Sequence, residues 1–224
     1  MQISDLVATL RARKTQGVAL DIDETLADSN PHWLRAMYAF APPPGRSFED
    51  IRQQHKFAED VPEWRTPQAY ARIHALLHSN EFHADIPLIP DALESAREIH
   101  ETVGITAYIT ARPEAVRAGT LTWLERHGFP SAPVIMRDED VDISAHGDGK
   151  NGWKARMLAA AYPSIWGIVD DNPGLTRTLR QVNYPGTLFL YGPQWQPTDP
   201  SPTVVLCPTW DDVVSAVRIR SCAW

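Results

Sequence analysis

Residues 17–23 read GVALDID, an apolar run that meets two carboxylates without first alternating with polar residues. A strand of this kind has no face to offer water, so it must be covered on both sides, as an interior strand of a parallel sheet is. Five further runs suit the same sheet: ITAYIT (105–110), APVIMR (132–137), SIWGIV (164–169), GTLFLY (186–191) and TVVLC (203–207). Between them lie segments with helical periodicity, PDALESAREIHETVG (90–104), RPEAVRAGTLTWLERHG (112–128), WKARMLAAAY (153–162) and PGLTRTLRQV (173–182), and a terminal helix begins near Thr209. Asp91 stands near the start of the first helix, and Pro113 and Gly128 are expected to open and close the second. Strands alternating with helices of this length predict an α/β fold, a Rossmann-like parallel sheet with helices on both faces.

Residues 29–87 break the rhythm. They hold APPPG, several helical pieces and no strand pattern, with Trp33, Arg46, Arg52, His55, Lys56, Trp64, Tyr70, Arg72 and His74 among them. The organisation expected is therefore a core of residues 1–28 and 88–224 with an inserted helical subdomain at 29–87. Ahead of the first strand, Ile3, Leu6, Val7 and Leu10 fit one face of a short helix, and the basic cluster RARK (11–14) reads as its solvated end. The stretch YGPQWQPTDPSP (191–202) reads as a proline-rich surface loop.

Composition narrows the function classes. The 224 residues carry a formal charge of −7 with no basic stripe, which counts against nonspecific nucleic-acid binding. The two cysteines, Cys207 and Cys222, lack metal-ligand spacing and could not staple a chain of this size, so a reducing compartment is expected. With no signal-peptide pattern and no run of transmembrane length, the expectation is a cytoplasmic protein without a membrane partner.

In an open parallel sheet, ligands bind beyond the carboxyl ends of the strands. The first strand delivers Asp21 and Asp23 there, the second Thr110, and the fourth Asp170 and Asp171; Lys154 opens the helix before that fourth strand. Residues two apart on a strand share a side, so Asp21 and Asp23 both face the crevice. Carboxylates crowd only where a cation neutralises them, and hard oxygen ligands suit Mg²⁺, which takes few carboxylates together with phosphate oxygens. A carboxylate can also act as nucleophile to form an aspartyl-phosphate, and a neighbouring carboxyl can act as acid and base.

In this order, DIDET (21–25), Thr110 of ITAR, Lys154 and VDDN (169–172) resemble the four motifs of the haloacid dehalogenase (HAD) superfamily. The resemblance spans roughly residues 17–190, and the insertion falls where a type C1 cap belongs. It implies a HAD-like core in which Asp21 is the nucleophile and Asp23 the general acid and base. It further implies that Asp23 ligates Mg²⁺ through its backbone carbonyl, with Asp21, Asp170 and Asp171 as the other metal residues. Thr110 would bind the transferring phosphoryl group, and Lys154 would offset charge on nucleophile and phosphate; Lys150 competes for that place. Each well-aimed donor of this sort is worth roughly 3 kcal/mol. Aspartate at position 23 is the mark of phosphatases in this superfamily, whereas dehalogenases lack it.

The resemblance thus implies a Mg²⁺-dependent phosphatase acting on a small phosphorylated metabolite such as a nucleotide. Polynucleotide end processing is the first alternative, disfavoured by the negative charge; a catalytically silent phosphate-binding module is the alternative of another class. Arg112 either reaches substrate phosphate or pairs locally. Glu24 receives no chemical role beyond solvation, and Thr25 supports the turn after the strand. The run from Asp21 to His32 fails as a calcium loop, because Leu26 and His32 occupy the places of the required Gly and Glu. His74 and His78, one helical turn apart with His83 beyond, invite a zinc site but lack a Cys or carboxylate to complete it, so a solvated or substrate-facing helix is expected instead. Trp33 and Trp64 are expected in packing or along a substrate pocket, and Asp5, Asp91, Asp211 and Asp212 at helix starts.

Overall fold

The structure, a computed structural model, describes residues 8–10, 16–138, 149–192 and 203–222. Of the expected leading helix only residues 8–10 are described, and they are helical; its other residues, the RARK cluster, Asp5 and most of the proline-rich loop lie outside the described residues. Leu10, at the edge of that helix, is buried in the core.

The chain opens with β1 (Gly17–Leu20) and then leaves the sheet. It builds α1 (Ser29–Phe40), α2 (Phe48–Gln54), two single-turn 3₁₀ segments (Ala58–Asp60 and Pro62–Trp64), α3 (Pro67–Leu77) and α4 (Asn80–Ala84). It returns through α5 (Ala92–Thr102) to β2 (Ile105–Pro113), followed by α6 (Arg117–His127), β3 (Val134–Arg137), α7 (Gly149–Ala161), β4 (Ile165–Asp170) and α8 (Gly174–Gln181). Strands β5 (Thr187–Tyr191) and β6 (Val204–Cys207) and helix α9 (Trp210–Ser221) complete it.

All six strands are parallel and stand in the order β3-β2-β1-β4-β5-β6. Every apolar run singled out above supplies one. Alternation divides their side chains: Val18 and Leu20 pack with α5, α6 and α9 on one face, while Ala19, Ile109 and Ile168 pack with α7 and α8 on the other. Each large apolar side chain so buried contributes about 1.5–3 kcal/mol. Their sum holds polar strand ends in place that would not pack by themselves. The chain moves from β1 outward to β2 and β3, then crosses to β4 on the other side of β1. The carboxyl ends of β1 and β4 therefore flank the crevice where connections diverge.

Helices α1 to α4 enclose an apolar cluster of their own, including Leu34, Met37, Ile51, Val61, Trp64 and Leu76. Trp64 is buried there and donates Nε1–H to the Ala41 carbonyl at 2.7 Å. Polar caps start the helices: Ser47 and Asp50 form a reciprocal capping box, and Thr66 and Ser79 accept from Ala69 and Phe82 amides. No strand occurs among residues 29–84; an isolated bridge joins Ala27 to Leu88.

Two boundaries differ from expectation. Pro113 ends β2 rather than opening a helix: it is extended, pairs with Arg137 across a register shift, and a 3₁₀ turn (Glu114–Val116) precedes α6. A residue without an N–H suits a strand end as well as a first helical turn. Lys154 lies in the second turn of α7, which already begins at Gly149. Gly128 does close α6 in the left-handed conformation (φ 75°), and Thr209 with Asp212 forms the capping box of α9. Among the described residues no helix is long and apolar enough to cross a membrane.

Candidate active site

Asp21 follows β1 directly, and its amide donates to Val169 of β4 at 2.9 Å, which ties the carboxyl ends of the two strands together. The backbone then turns tightly: the amides of Leu26 and Ala27 both reach the Ile22 carbonyl at 2.8 Å, and Glu24 takes a left-handed φ of 59°. Glu24 is not solvated as expected. Its half-buried carboxylate accepts the Asn30 amide at 2.6 Å and braces the turn against the start of α1. Thr25 is fully buried beneath it.

Lys154 reaches into the crevice from α7, almost wholly buried, with Nζ 3.0 Å from Asp21 Oδ2 and 2.6 Å from Asp170 Oδ2. Burial alone would depress this ammonium, yet the charges of Asp170 and Asp21 override it and hold the group firmly protonated. Asp170, at the end of β4, also accepts the Asn172 amide at 2.8 Å. One ammonium cannot satisfy all the acids nearby. Burial drives Asp21 well above the ordinary carboxylate range, and Asp170, Asp171 and Asp23 add to that against the pull of Lys154. Asp171 is pushed up to about 7, first by burial and then by the charge of Asp170; Lys56 from the insertion stands 3.8 Å away.

Oxygens of Asp21, Asp170 and Asp171 lie within 4.8 Å of one another, and among the described residues this is the group of acids, histidines or cysteines close enough to share an ion. Three hard donors whose mutual repulsion exceeds what Lys154 compensates are the chemistry of a small divalent cation. Asp23 stands apart from the trio. Its carboxylate accepts from Arg112 Nη2 at 2.7 Å and Nε at 3.0 Å, and from Ser29 Oγ at 2.5 Å. Burial alone would raise Asp23, but the Arg112 charge and these hydrogen bonds hold it well below the usual range. Arg112 thus pairs locally in this structure, with Nη1 on Thr120 Oγ1 at 3.3 Å. Thr110 is fully buried, with Oγ1 3.5 Å from Asp23 and accepting the Arg112 amide at 3.2 Å.

A cavity of about 570 Å³ opens over these groups. Its floor is polar and charged; its other wall comes from the insertion, with Trp33, Phe57, Ile73 and Leu77. Lys150 lines it from the first turn of α7. Trp33 therefore lines the cavity while Trp64 does not. His74 of α3 and His78, which caps that helix, lie ring to ring at 4.3 Å, and His83 is packed edge-on to Trp33. Ser29 and Asn30 have no site role in the sequence reading, Asn172 enters it only as the end of VDDN, and His83 only beside His74 and His78. DSN at 28–30 has the composition of a helix start, which gives Ser29 a capping signal and nothing that aims it at Asp23.

Comparison with known proteins follows the same outline. Residues 15–145 match the family described as 5' nucleotidase, deoxy (pyrimidine), cytosolic type C protein (NT5C). No curated protein matches the chain. Among solved structures, similarity extends to a chain of the Pnkp1/Rnl/Hen1 RNA repair complex, at 12% identity over 79% of this chain, with a TM-score of 0.47. This protein spans only 42% of that chain. An L-2-haloacid dehalogenase is similar at 14% identity over 93% of this chain and 99% of its own, with a TM-score of 0.49. A HAD family hydrolase from Deinococcus radiodurans R1, with bound phosphate and sodium, is similar at 16% identity over 91% and 88%, with a TM-score of 0.42. None of these three likenesses is close enough to carry an argument about chemistry. The family match is: it takes in more than half of the 224 residues, from the β1 carboxylates through the helical insertion to β3. The chain belongs to this nucleotidase family, and with it to the phosphatases of the HAD superfamily.

Proposed function

We propose that the protein is a Mg²⁺-dependent phosphomonoester hydrolase that works through an aspartyl-phosphate, with nucleoside 5'-monophosphates as its leading substrate class. The observation that carries this reading is the position of Asp21: a carboxylate at the sheet edge, 3.0 Å from a buried ammonium and within a trio of acids. In the first step an Asp21 oxygen attacks phosphorus and the bond to the leaving alcohol breaks; the alkoxide takes its proton from Asp23, which can carry one only when substrate phosphate draws Arg112 off it, since the pair otherwise holds that carboxylate ionised. In the second, Asp23 draws a proton from water, which attacks the phosphorus and returns Asp21 and inorganic phosphate. Lys154 holds Asp21 in place and offsets negative charge, and Thr110 hydrogen-bonds the phosphoryl group. Arg112 orients Asp23 and lines the same cavity, within the wall that binds substrate. Asp21, Asp170, Asp171 and the backbone of Asp23 would hold Mg²⁺, which supplies charge neutralisation to the phosphoryl oxygens.

Residues 29–87 act in this reading as a cap that excludes water and selects the leaving group. The family name points to 5'-deoxynucleotides, and a cavity of about 570 Å³ with an aromatic and aliphatic upper wall suits a base and sugar above a charged floor. Purified protein with Mg²⁺ is expected to release phosphate from phenyl phosphate and to stop on addition of EDTA. Asp21→Asn is expected to lower kcat about a thousandfold or more while the far-ultraviolet spectrum stays native. Wild-type turnover in that variant would remove Asp21 as nucleophile.

A further inference from the structure

His83 is 2% exposed, sits on α4 in the insertion, and lines the cavity over Asp23 and Arg112. Its Nε2 lies 3.1 Å from the Leu77 carbonyl oxygen. A carbonyl can only accept, so Nε2 carries the proton and Nδ1 presents a lone pair. That Nδ1 is buried and has no hydrogen-bond partner among the described residues. Leaving a buried acceptor unmet costs about 1–3 kcal/mol, which a folded chain tolerates where a ligand completes the bond. Five side-chain polar atoms share this condition among the described residues, and only two belong to cavity-lining residues: His83 Nδ1 and Asn30 Nδ2. One is an acceptor and the other a donor.

We infer that His83 is a specificity residue whose Nδ1 accepts a hydrogen bond from a hydroxyl of the leaving alcohol, so that the preferred esters are those of polyhydroxylated alcohols such as nucleosides. A hydroxyl can donate to an acceptor such as His83 Nδ1, and a hydroxyl can equally accept from a donor such as Asn30 Nδ2. An ammonium donor is a poorer fit, because the Arg112 guanidinium acts on the same ring. Burial first, and then that guanidinium, push the imidazole down to about 4, so the lone pair is present at neutral pH. Trp33 and Phe82 pack edge-on to the ring and fix its plane.

This inference rests on the phosphatase reading, and the two fail differently. The experiment measures kcat/KM with Mg²⁺ for uridine 5'-monophosphate, 2',3'-dideoxyuridine 5'-monophosphate and phenyl phosphate, in wild type, His83→Phe and His83→Asn. Wild type is expected to favour the hydroxylated nucleotide about tenfold or more, since a site with an unmet acceptor rejects the analogue that lacks the donor. His83→Phe should collapse that ratio towards one, the loss in kcat/KM falling on the hydroxylated nucleotide more than on its dideoxy analogue. His83→Asn, which returns an amide oxygen near the place of Nδ1, should recover part of the ratio. An equal loss on all three substrates in both variants would make His83 merely structural, and a ratio unchanged in His83→Phe would remove it from recognition. No phosphate release from phenyl phosphate by wild type would instead overturn the phosphatase reading, and the assignment of His83 with it.

Discussion

Asp23 and Asp171 lie just beyond neighbouring strands of one sheet and carry the same side chain, yet their surroundings drive them apart: Arg112 holds the first ionised, while burial pushes the second up to about 7. Lys154 sits between two further acids of the crevice, and its removal is the sharpest test of how the site is held. Lys154→Ala would leave Asp21 and Asp170 buried without their cation, at a cost of about 3–5 kcal/mol, and should abolish turnover. Lys150→Ala, on the first turn of the same helix, should change stability by about 0.5 kcal/mol or less. Urea denaturation of the two variants checks this, and equal destabilisation would place Lys150 in the same buried network. The acids were legible because each stands at the carboxyl end of an apolar run, where strand alternation fixes its direction. Arg112 was legible only as an alternative: sequence could not tell substrate contact from local pairing, because its partner Asp23 is 89 positions away. Ser29, Asn30 and His83 were less legible still. Their orientation depends on how the insertion docks over β1, and no periodicity within the insertion encodes that.

The joint between insertion and core can be followed to one pair of helices. Asn80, first residue of α4, accepts the Gly119 amide of α6 at 2.6 Å through Oδ1 and donates Nδ2–H to the Ala115 carbonyl at 3.2 Å. The close approach requires glycine, since a Cβ at position 119 would lie 2.1 Å from the Asn80 carbonyl oxygen. Backbone cannot yield as a side chain can, so Gly119→Ala should cost about 1–3 kcal/mol. Asn80→Ala, which removes both hydrogen bonds without a clash, should cost less than the glycine change. A Gly119→Ala protein as stable in urea as wild type would mean that α4 moves freely on α6. Nothing in EFHADI or RAGTLTW announces this contact; Gly119 reads as an isolated helix-weakening residue until its neighbour is known. The strands, by contrast, were legible throughout, because burial on both faces leaves an uninterrupted apolar signature. Helix ends were legible where caps mark them, as at Gly128 and Thr209. They were missed at Pro113, whose fixed φ serves a strand end and a helix start equally.

The crowding of acids couples metal binding to the stability of the entire chain, and the coupling has a definite sign. In the unfolded chain these carboxyls titrate near pH 4. In the metal-free fold Asp171 holds its proton up to about 7, and burial raises Asp21 and Glu24 as well. Between those limits these carboxyls bind more protons in the folded state than in the unfolded state, so their share of the stability falls as pH rises through the window, while buried His83, held down to about 4, works the other way below about pH 6.5. Asp23 works the other way, but its contribution is present above its unfolded value and is lost only on acidification below it, outside the window. A divalent cation on Asp21, Asp170 and Asp171 replaces the protons. Its stabilisation should therefore be small at pH 5, where protons compete, and large at pH 8, reaching about 3 kcal/mol at a hundredfold excess over Kd. Calorimetric Tm values with EDTA should decline from about pH 6.5 to pH 8, above the range where the histidines oppose the carboxyls, and Mg²⁺ should reverse the decline. Asp171→Asn should make the EDTA series shallower, because it removes one of the groups that titrate inside the window. A Mg²⁺ shift of the same size at both pH values would show that the cation does not displace protons from these carboxyls, and would take Asp171 out of the ligand set.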